Sequence, residues 1–331
     1  MSGGAFMKWK NLLASMTFVA AITLAGCGSD ESNTEGKEKQ YTVGISQFVE
    51  HPSLDEATKG FKKALEDSGL SVKYDEQNAQ GDMNNNQTIA NNLVSEKVDL
   101  IFANATPSAQ TAANATKDIP VVFTSVTDPV GAKLVSDKEA PDKNVTGTTD
   151  THPEAIPNTV KLIDEMGYKK IGTIYNAGEQ NSEVQVTAVE EEAKKNGLSL
   201  KKVSVANTSE VKQAVDSLVG EVDAIYIITD NTVVSALESV IQVAEKESIP
   251  LFVGELDSVK RGGFAAYGFN YYDIGYQAGE QAVKLLKGEK KVKDLPVEAP
   301  NDLKLVINKS AAGKMNVDIN QIKEEVEFVE E

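Results

Sequence analysis

Side chains capable of polar chemistry gather just after apolar stretches. In residues 171–183, IGTIYNAGEQNSE, an apolar run ending at Tyr175 leads into a polar loop, and Asn181 and Ser182 open a helix expected to begin with Glu183. Carboxylates stand beyond other predicted strand ends at Asp128, Glu179, Asp230 (followed by Asn231) and Glu255. Ser53, Thr106 and Ser108 mark predicted helix starts, and Gln47 ends the first strand. In an open parallel sheet ligands sit at the carboxyl ends of the strands, where helix N-termini leave backbone N–H groups unpaired. Residues 171–183 contain no Lys, Arg, His or Cys. Their chemistry is hydrogen bonding and weak-acid electrostatics, which suits holding a small polar molecule better than breaking bonds in one.

Other chemistries lack their residues. The first strand runs into GISQFVEHP, without the G-x-G-x-x-G of a dinucleotide site, and P-loop and G-x-S-x-G patterns are missing. Glu179 and Asp230 have the types of an acid/base pair, but nothing identifies a nucleophile, so no enzyme is expected. His51 and His152 are the only histidines and each precedes a proline, with no spacing to a third ligand. Neither a metal site nor a cofactor is expected. The net charge of −17 argues against nucleic acid, whose phosphates need clustered Lys and Arg.

The beginning of the chain is distinct. Lys8 and Lys10 precede a nearly uncharged apolar run from Leu12 to Gly26, too short to span a membrane comfortably. It ends in Leu24-Ala25-Gly26-Cys27, which resembles the bacterial lipobox. That resemblance implies a signal peptide over 1–26 and a diacylglycerol anchor on the sole cysteine, Cys27, holding the protein outside the cytoplasm on the cell membrane. Met7 is an alternative start. Loss of 1–26 would leave 31 basic against 50 acidic side chains. Residues 27–40 comprise this anchor and a polar tether with no large apolar residue.

From Tyr41 the pattern is strand then helix, repeatedly, as in βα units of a parallel sheet. YTVGISQ, LSVKYDE, VDLIFAN and VVFTS are predicted strands. Helices lie between them, one beginning near Ser53 and one capped by Thr106 with Pro107 at its first position. The order returns about 128 residues later. Gly172 answers Gly44, Gly197 answers Gly69, Val222-Asp223 answers Val98-Asp99, and Ile249-Pro250 answers Ile119-Pro120. The expected fold class is α/β, with two similar lobes. A strand over 264–269, a helix over 272–286 and the strand LKLVIN follow. The acidic tail, 318–331, is expected to be a surface helix or frayed end.

The segments HPSLD (51–55), TDPVGA (127–132), TGTTD (146–150), YNAGEQNS (175–182), TDNTV (229–233) and YYDIGYQAG (271–279) resemble the ABC transporter substrate-binding family that includes tryptophan and tyrosine binding proteins. The resemblance covers Tyr41 to Val306. It implies a type I periplasmic binding protein: two Rossmann-like lobes joined by a three-segment hinge near 147–150, 266–270 and 300–304. The N-terminal lobe would be 41–147 plus 270–300, and the C-terminal lobe 148–269 plus 301–317. The implied function is a monomer that closes on a free amino acid, often aromatic, and delivers it to an ABC permease with its ATPase.

An amino-acid zwitterion requires donors for its carboxylate, acceptors for its ammonium and a surface for its side chain. Helix N-termini can supply the donors without a basic side chain; Ser53, Thr106 with Ser108, and above all Asn181 with Ser182 are the candidates. Asp128 and Asp230, then Glu179 and Glu255, are candidate ammonium acceptors. Gln47 and Asn231 are further hydrogen-bonding candidates, and Phe48, Tyr175, Phe269 and Tyr271 are candidate stacking partners. A sugar, nucleoside or peptide-like solute in the same cleft is the alternative, although Arg261 is the only arginine available for a bidentate clamp. A ligand sensor for a membrane partner would use the same fold.

Overall fold

A computed structural model describes residues 39–329. The expected signal segment, Cys27 and most of the expected tether lie outside the described residues. The first sheet comprises β1 (Tyr41–Gln47), β2 (Val72–Asn78), β3 (Leu100–Asn104), β4 (Val121–Val126) and β5 (Val145–Thr149), all parallel, in the order β2-β1-β3-β4-β5. The second comprises β6 (Lys170–Asn176), β7 (Ser199–Val205), β8 (Ala224–Ile227), β9 (Leu251–Val253), β10 (Ala265–Gly268), β11 (Lys304–Asn308) and β12 (Glu327–Val329). Its order is β12-β11-β10-β9-β8-β6-β7, and only β10–β11 is antiparallel. The helices are α1 (Pro52–Asp67), α2 (Met83–Ser95), α3 (Thr106–Ala115), α4 (Ala155–Glu165), α5 (Gln180–Lys195), α6 (Val211–Asp216), α7 (Asn231–Ser235), α8 (Leu237–Glu247), α9 (Leu256–Arg261), α10 (Tyr271–Leu286) and α11 (Lys309–Lys314). Strands covered by helices on both faces read as continuous apolar runs, and β3, β4, β8 and β9 are buried at every position.

The repeat seen in the sequence has the same physical role in each sheet. Asp99 accepts the Thr42 backbone N–H at 2.7 Å, and Asp223 accepts that of Lys170 at 2.9 Å, so each aspartate fixes the start of its sheet's first strand. Ile101 and Ile225 each donate their N–H to the proline carbonyl that precedes the next strand, Pro120 and Pro250, at 2.9 Å. A Cβ on Gly44 would come within 2.7 Å of the Leu93 side chain, and one on Gly172 within 2.9 Å of that of Leu218.

The chain passes between the sheets three times: from β5 to α4, from β10 to α10, and through 299–303 to β11. β5 stays in the first sheet through Thr149, and a bridge from Thr148 to Glu298 ties the first and third passages together. α10 returns to the first sheet, where Thr148 Oγ1 donates to the Ile274 carbonyl at 3.0 Å. There α10 lies unusually close to α1: a Cβ on Gly275 would stand 1.9 Å from the Ala57 carbonyl oxygen, and one on Gly60 2.0 Å from that of Tyr272.

The tail departs from expectation. Residues 319–321 form a single 3-10 turn, and β12 pairs in parallel with β11 at the sheet edge. Ile319, Ile322, Val326 and Val329 pack on the second sheet's core. Their spacing mimics a helical period because a turn and a strand in succession bring them to the same surface. β12 is further held by Lys304 with Glu327 at 3.3 Å and by Lys309 over the Phe328 ring at 4.3 Å.

Gly275→Leu is expected to force α10 off α1 and lower stability by about 3 kcal/mol in urea unfolding. Gly313→Ala, in a helix with open space around the site, should be neutral or stabilising by a few tenths to about 1 kcal/mol. Equal effects of the two would show that the close helix contact contributes nothing.

Candidate functional site

On the second sheet, the loops after β6 and β8 form one buried network. The helix after β6 begins at Gln180, three residues before the position expected from sequence, with Glu179 as N-cap. Glu179 turns away from its own helix and covers the start of α7. It accepts from Asn231 Nδ2 at 2.6 Å, from the Thr232 hydroxyl at 2.8 Å and from the Thr232 N–H at 3.1 Å. Asp230 caps α7 through the Val233 N–H at 2.7 Å and also accepts from the Asn176 N–H at 2.6 Å and the Ser182 hydroxyl at 2.7 Å. Burial pushes the Asp230 carboxyl up to about 7, and the nearby Glu179 charge adds to the push.

This corrects the role expected of Asn181 and Ser182. Both lie in the first turn of α5, but Ser182 gives its proton to Asp230, and two carboxylates crowd the region where an anion was expected. A second anion there would meet like charge. Asn181 donates Nδ2 toward Glu179 at 3.2 Å and the Thr229 carbonyl at 3.3 Å, and its buried Oδ1 has no partner.

On the first sheet, the ends of β3 and β4 are strained. Ala105 has φ 87° and ψ 154°, a conformation that is essentially glycine's own, and Ser125 has φ 56°. Ala105, not Thr106, is the N-cap of α3, so Thr106 lies within the first turn. The buried hydroxyls of Thr106 and Ser125 have no hydrogen-bond partner, whereas Ser108 donates to Asn86 at 3.0 Å. In the loop between β1 and α1, His51 is 4% exposed; neither ring nitrogen has a partner in direct hydrogen-bond geometry, and Asn231 is the side chain that lies near enough to approach the ring. Burial, helped by the Arg261 charge, pushes its imidazole down to about 4, opposed by the hydrogen-bonding approach of Asn231 and, more weakly, by the Asp55 and Glu179 charges.

The two walls meet. Ser53 donates to Glu255 at 2.7 Å, joining two residues expected in the site, and burial pushes the Glu255 carboxyl up to about 7. Gln185 Nε2 reaches Thr229 Oγ1 at 2.6 Å and Thr127 Oγ1 at 3.3 Å. Thr127 in turn donates to Asp150 at 3.0 Å, which also accepts the Tyr271 hydroxyl at 3.0 Å. Asp150 is pushed up to about 6 by burial. Its relay runs from the cleft to the first two crossings.

Gln47 and Tyr175 fall elsewhere, while Asp128 stays beside Gln180 at the start of α5. Gln47 is committed to its own lobe, donating to Asp55 at 2.7 Å and accepting from Thr58 at 2.8 Å, on the wall of a separate cavity of about 760 Å³. Asp128 is half-buried and caps a turn through the Gly131 N–H at 2.9 Å. Tyr175 is half-buried against the second sheet's core. Phe269 stacks on Tyr271 at 5.6 Å beside the hinge, while Phe48 is buried and lines the cleft mouth with Gly178 and Glu179. Asp150, Gln185, Ser125 and His51 were missed as site residues. Only Asp150 carried a signal, an acid placed at an expected crossing.

Two parallel-dominated sheets, joined by three crossings and facing each other through buried polar side chains at their strand ends, define a type I periplasmic binding protein. The chain belongs to the ABC transporter substrate binding protein family, whose model matches residues 42–327. It is 47% identical over 310 residues to the tyrosine-binding protein of Clostridioides difficile strain R20291, covering 90% of this chain and 88% of that one. An ABC domain from Streptococcus pneumonia solved in complex with L-Trp is 35% identical, with a TM-score of 0.82 over 88% of this chain and all of that one. A ligand-free, open substrate binding protein from Clostridium difficile is 41% identical, yet its TM-score is 0.64 over 88% of this chain and 99% of that one. The fold here superposes better on the tryptophan complex than on the open form, despite the lower identity.

The buried titratable groups set a pH dependence. Asp150, Asp230 and Glu255 bind protons more tightly folded than unfolded, so the stability they confer is full below about pH 4 and lost as pH rises through about 6 to 7. His51 acts oppositely: its contribution is full above about pH 6.5 and lost toward about pH 4. With three carboxylates against one imidazole, the unliganded protein should melt higher at pH 5.5 than at pH 8. Glu255→Gln should shrink that difference by about 2 kcal/mol; a lower melting temperature at pH 5.5 would contradict these assignments.

Proposed function

We propose that the protein is an extracytoplasmic receptor for a free aromatic amino acid, which it encloses by closure of its two lobes and delivers to an ABC permease. It acts as a binding protein and not an enzyme. The observation that carries the reading is the opposite polarity of the two walls. The first offers the α3 N-terminus with the unpartnered Thr106 and Ser125 hydroxyls, suited to a carboxylate. The second offers the unpartnered Asn181 Oδ1 backed by Glu179 and Asp230, suited to an ammonium. A zwitterion matches both at once. The tyrosine-binding relative and the tryptophan complex support an aromatic side chain. In this reading the closing bodies are 41–147 with 270–300 and 148–269 with 301–317, and the monomer is held to the membrane by lipid on Cys27.

Tyrosine or tryptophan at a hundredfold excess over Kd should raise stability by about 2.7 kcal/mol, read as a melting-temperature shift. Thr106→Val should weaken that binding roughly tenfold without lowering the melting temperature of the free protein, since it removes a hydroxyl with no internal partner. A shift with sugars or nucleosides alone would overturn the amino-acid reading. Separately, Cys27→Ser should move the protein from the membrane to the soluble fraction; retention on the membrane would refute the lipid anchor.

A further inference from the structure

The most unusual group in the cleft is a buried histidine with one neighbouring partner at most, Asn231. His51 is buried in the loop between β1 and α1; neither imidazole nitrogen has a partner in direct hydrogen-bond geometry, and Asn231 is the side chain near enough to serve one of them. Buried polar groups are rarely left so, because each costs the free energy of a lost hydrogen bond. The residue is also held firmly: Pro52 begins α1 immediately after it, and Ser53 reaches across to Glu255. We infer that His51 is the specificity-determining residue of the cleft, accepting a hydrogen bond from the phenol hydroxyl of tyrosine or the indole N–H of tryptophan.

This rests on the aromatic amino-acid reading, and three observations carry it further. The first is position. The strand order β1-β3-β4 sets the end of β1 two strand spacings, about 9.6 Å, from the end of β4, and His51 follows in the loop that leads from β1 into α1. Thr106 and Ser125 stand at the ends of β3 and β4, so a carboxylate held there leaves the side chain to run along the row of strand ends toward β1. That distance is comparable with the reach of tyrosine from carboxylate to hydroxyl.

The second is protonation. A neutral imidazole offers one donor and one acceptor. Asn231 across the cleft raises the basicity of His51, and its Nδ2 is already given to Glu179, so its carbonyl oxygen is the atom left to face the ring N–H. The other ring nitrogen is then an acceptor, which suits O–H or N–H donors. Phenylalanine offers neither. The third is surroundings: Phe48 lies three residues before His51, fully buried among the apolar residues of the first sheet, so a ligand's ring meets an apolar wall just before its polar tip meets His51.

The test is calorimetric titration of the purified full chain, wild type, His51→Leu and His51→Gln, with tyrosine, tryptophan and phenylalanine. Wild type should prefer tyrosine to phenylalanine by about 10- to 100-fold. His51→Leu should abolish that preference by weakening tyrosine while keeping or tightening phenylalanine, which also shows that the variant is folded. His51→Gln, whose amide oxygen restores an acceptor, should recover much of the preference. A preference that survives in His51→Leu, equal weakening of both ligands, or a wild type that does not discriminate would each overturn the role of His51 while leaving the aromatic receptor standing. A wild type that binds none of the three would remove the proposed function, and this role with it.

Discussion

A carboxylate removed from water must be hydrogen-bonded, paired with a cation or neutralised, and several are removed between the two sheets of this protein. Glu179, Asp230, Glu255 and Asp150 are each buried or nearly so, and none is paired with a lysine or arginine. They are accommodated by backbone N–H groups at helix starts and by hydroxyls, and burial raises the proton affinities of Asp230, Glu255 and Asp150. Much of the cleft's organisation follows. Glu179 and Asp230 share the short α7, whose first-turn N–H groups they occupy, and they fix Asn231, Thr232 and Ser182. The resulting wall is acidic, with two carboxylates close together.

Joining the walls is a matter of backbone contact. α10 leaves the second sheet and packs on α1 at a distance that only glycine allows at positions 60 and 275, which fixes the return path of the chain. The same helix starts at Tyr271, whose hydroxyl holds Asp150 at another crossing. The crossings are thereby tied to the polar relay through Thr127 and Gln185. A motion that separates the sheets must break the Gln185–Thr127 and Ser53–Glu255 contacts, both hydrogen bonds of side chains that water can satisfy equally well. Weak, polar cross-cleft contacts over a rigid pair of sheets suit repeated opening and closing.

Strain is concentrated at two adjacent strand ends. Ala105 and Ser125 hold left-handed backbone conformations at adjacent strand ends, and β4 changes register with β5 at the same place. Such geometry costs on the order of 1–3 kcal/mol per residue and persists where the surrounding fold enforces it. Here it breaks the strand ladder beside the α3 N-terminus, where Thr106 and Ser125 present their hydroxyls.

Local sequence was enough to determine most strands and helices outside the tail, their duplication and the family. Apolar period, turn glycines and the recurring Val-Asp and Ile-Pro pairs act over a few residues and keep the same structural role in both sheets. It was also enough to gather Glu179, Asn181, Ser182 and Asp230, because all follow strand ends of one sheet. It did not determine what those residues bind. Whether Ser182 caps a helix or serves Asp230 depends on contacts 48 residues apart, and the Ser53–Glu255 pair spans 202. The burial of His51 was likewise hidden, since it follows only once the facing sheet has removed the imidazole from water. Strand and helix patterns are encoded locally, whereas burial, protonation and the polarity of a cleft arise only when two distant surfaces are brought together.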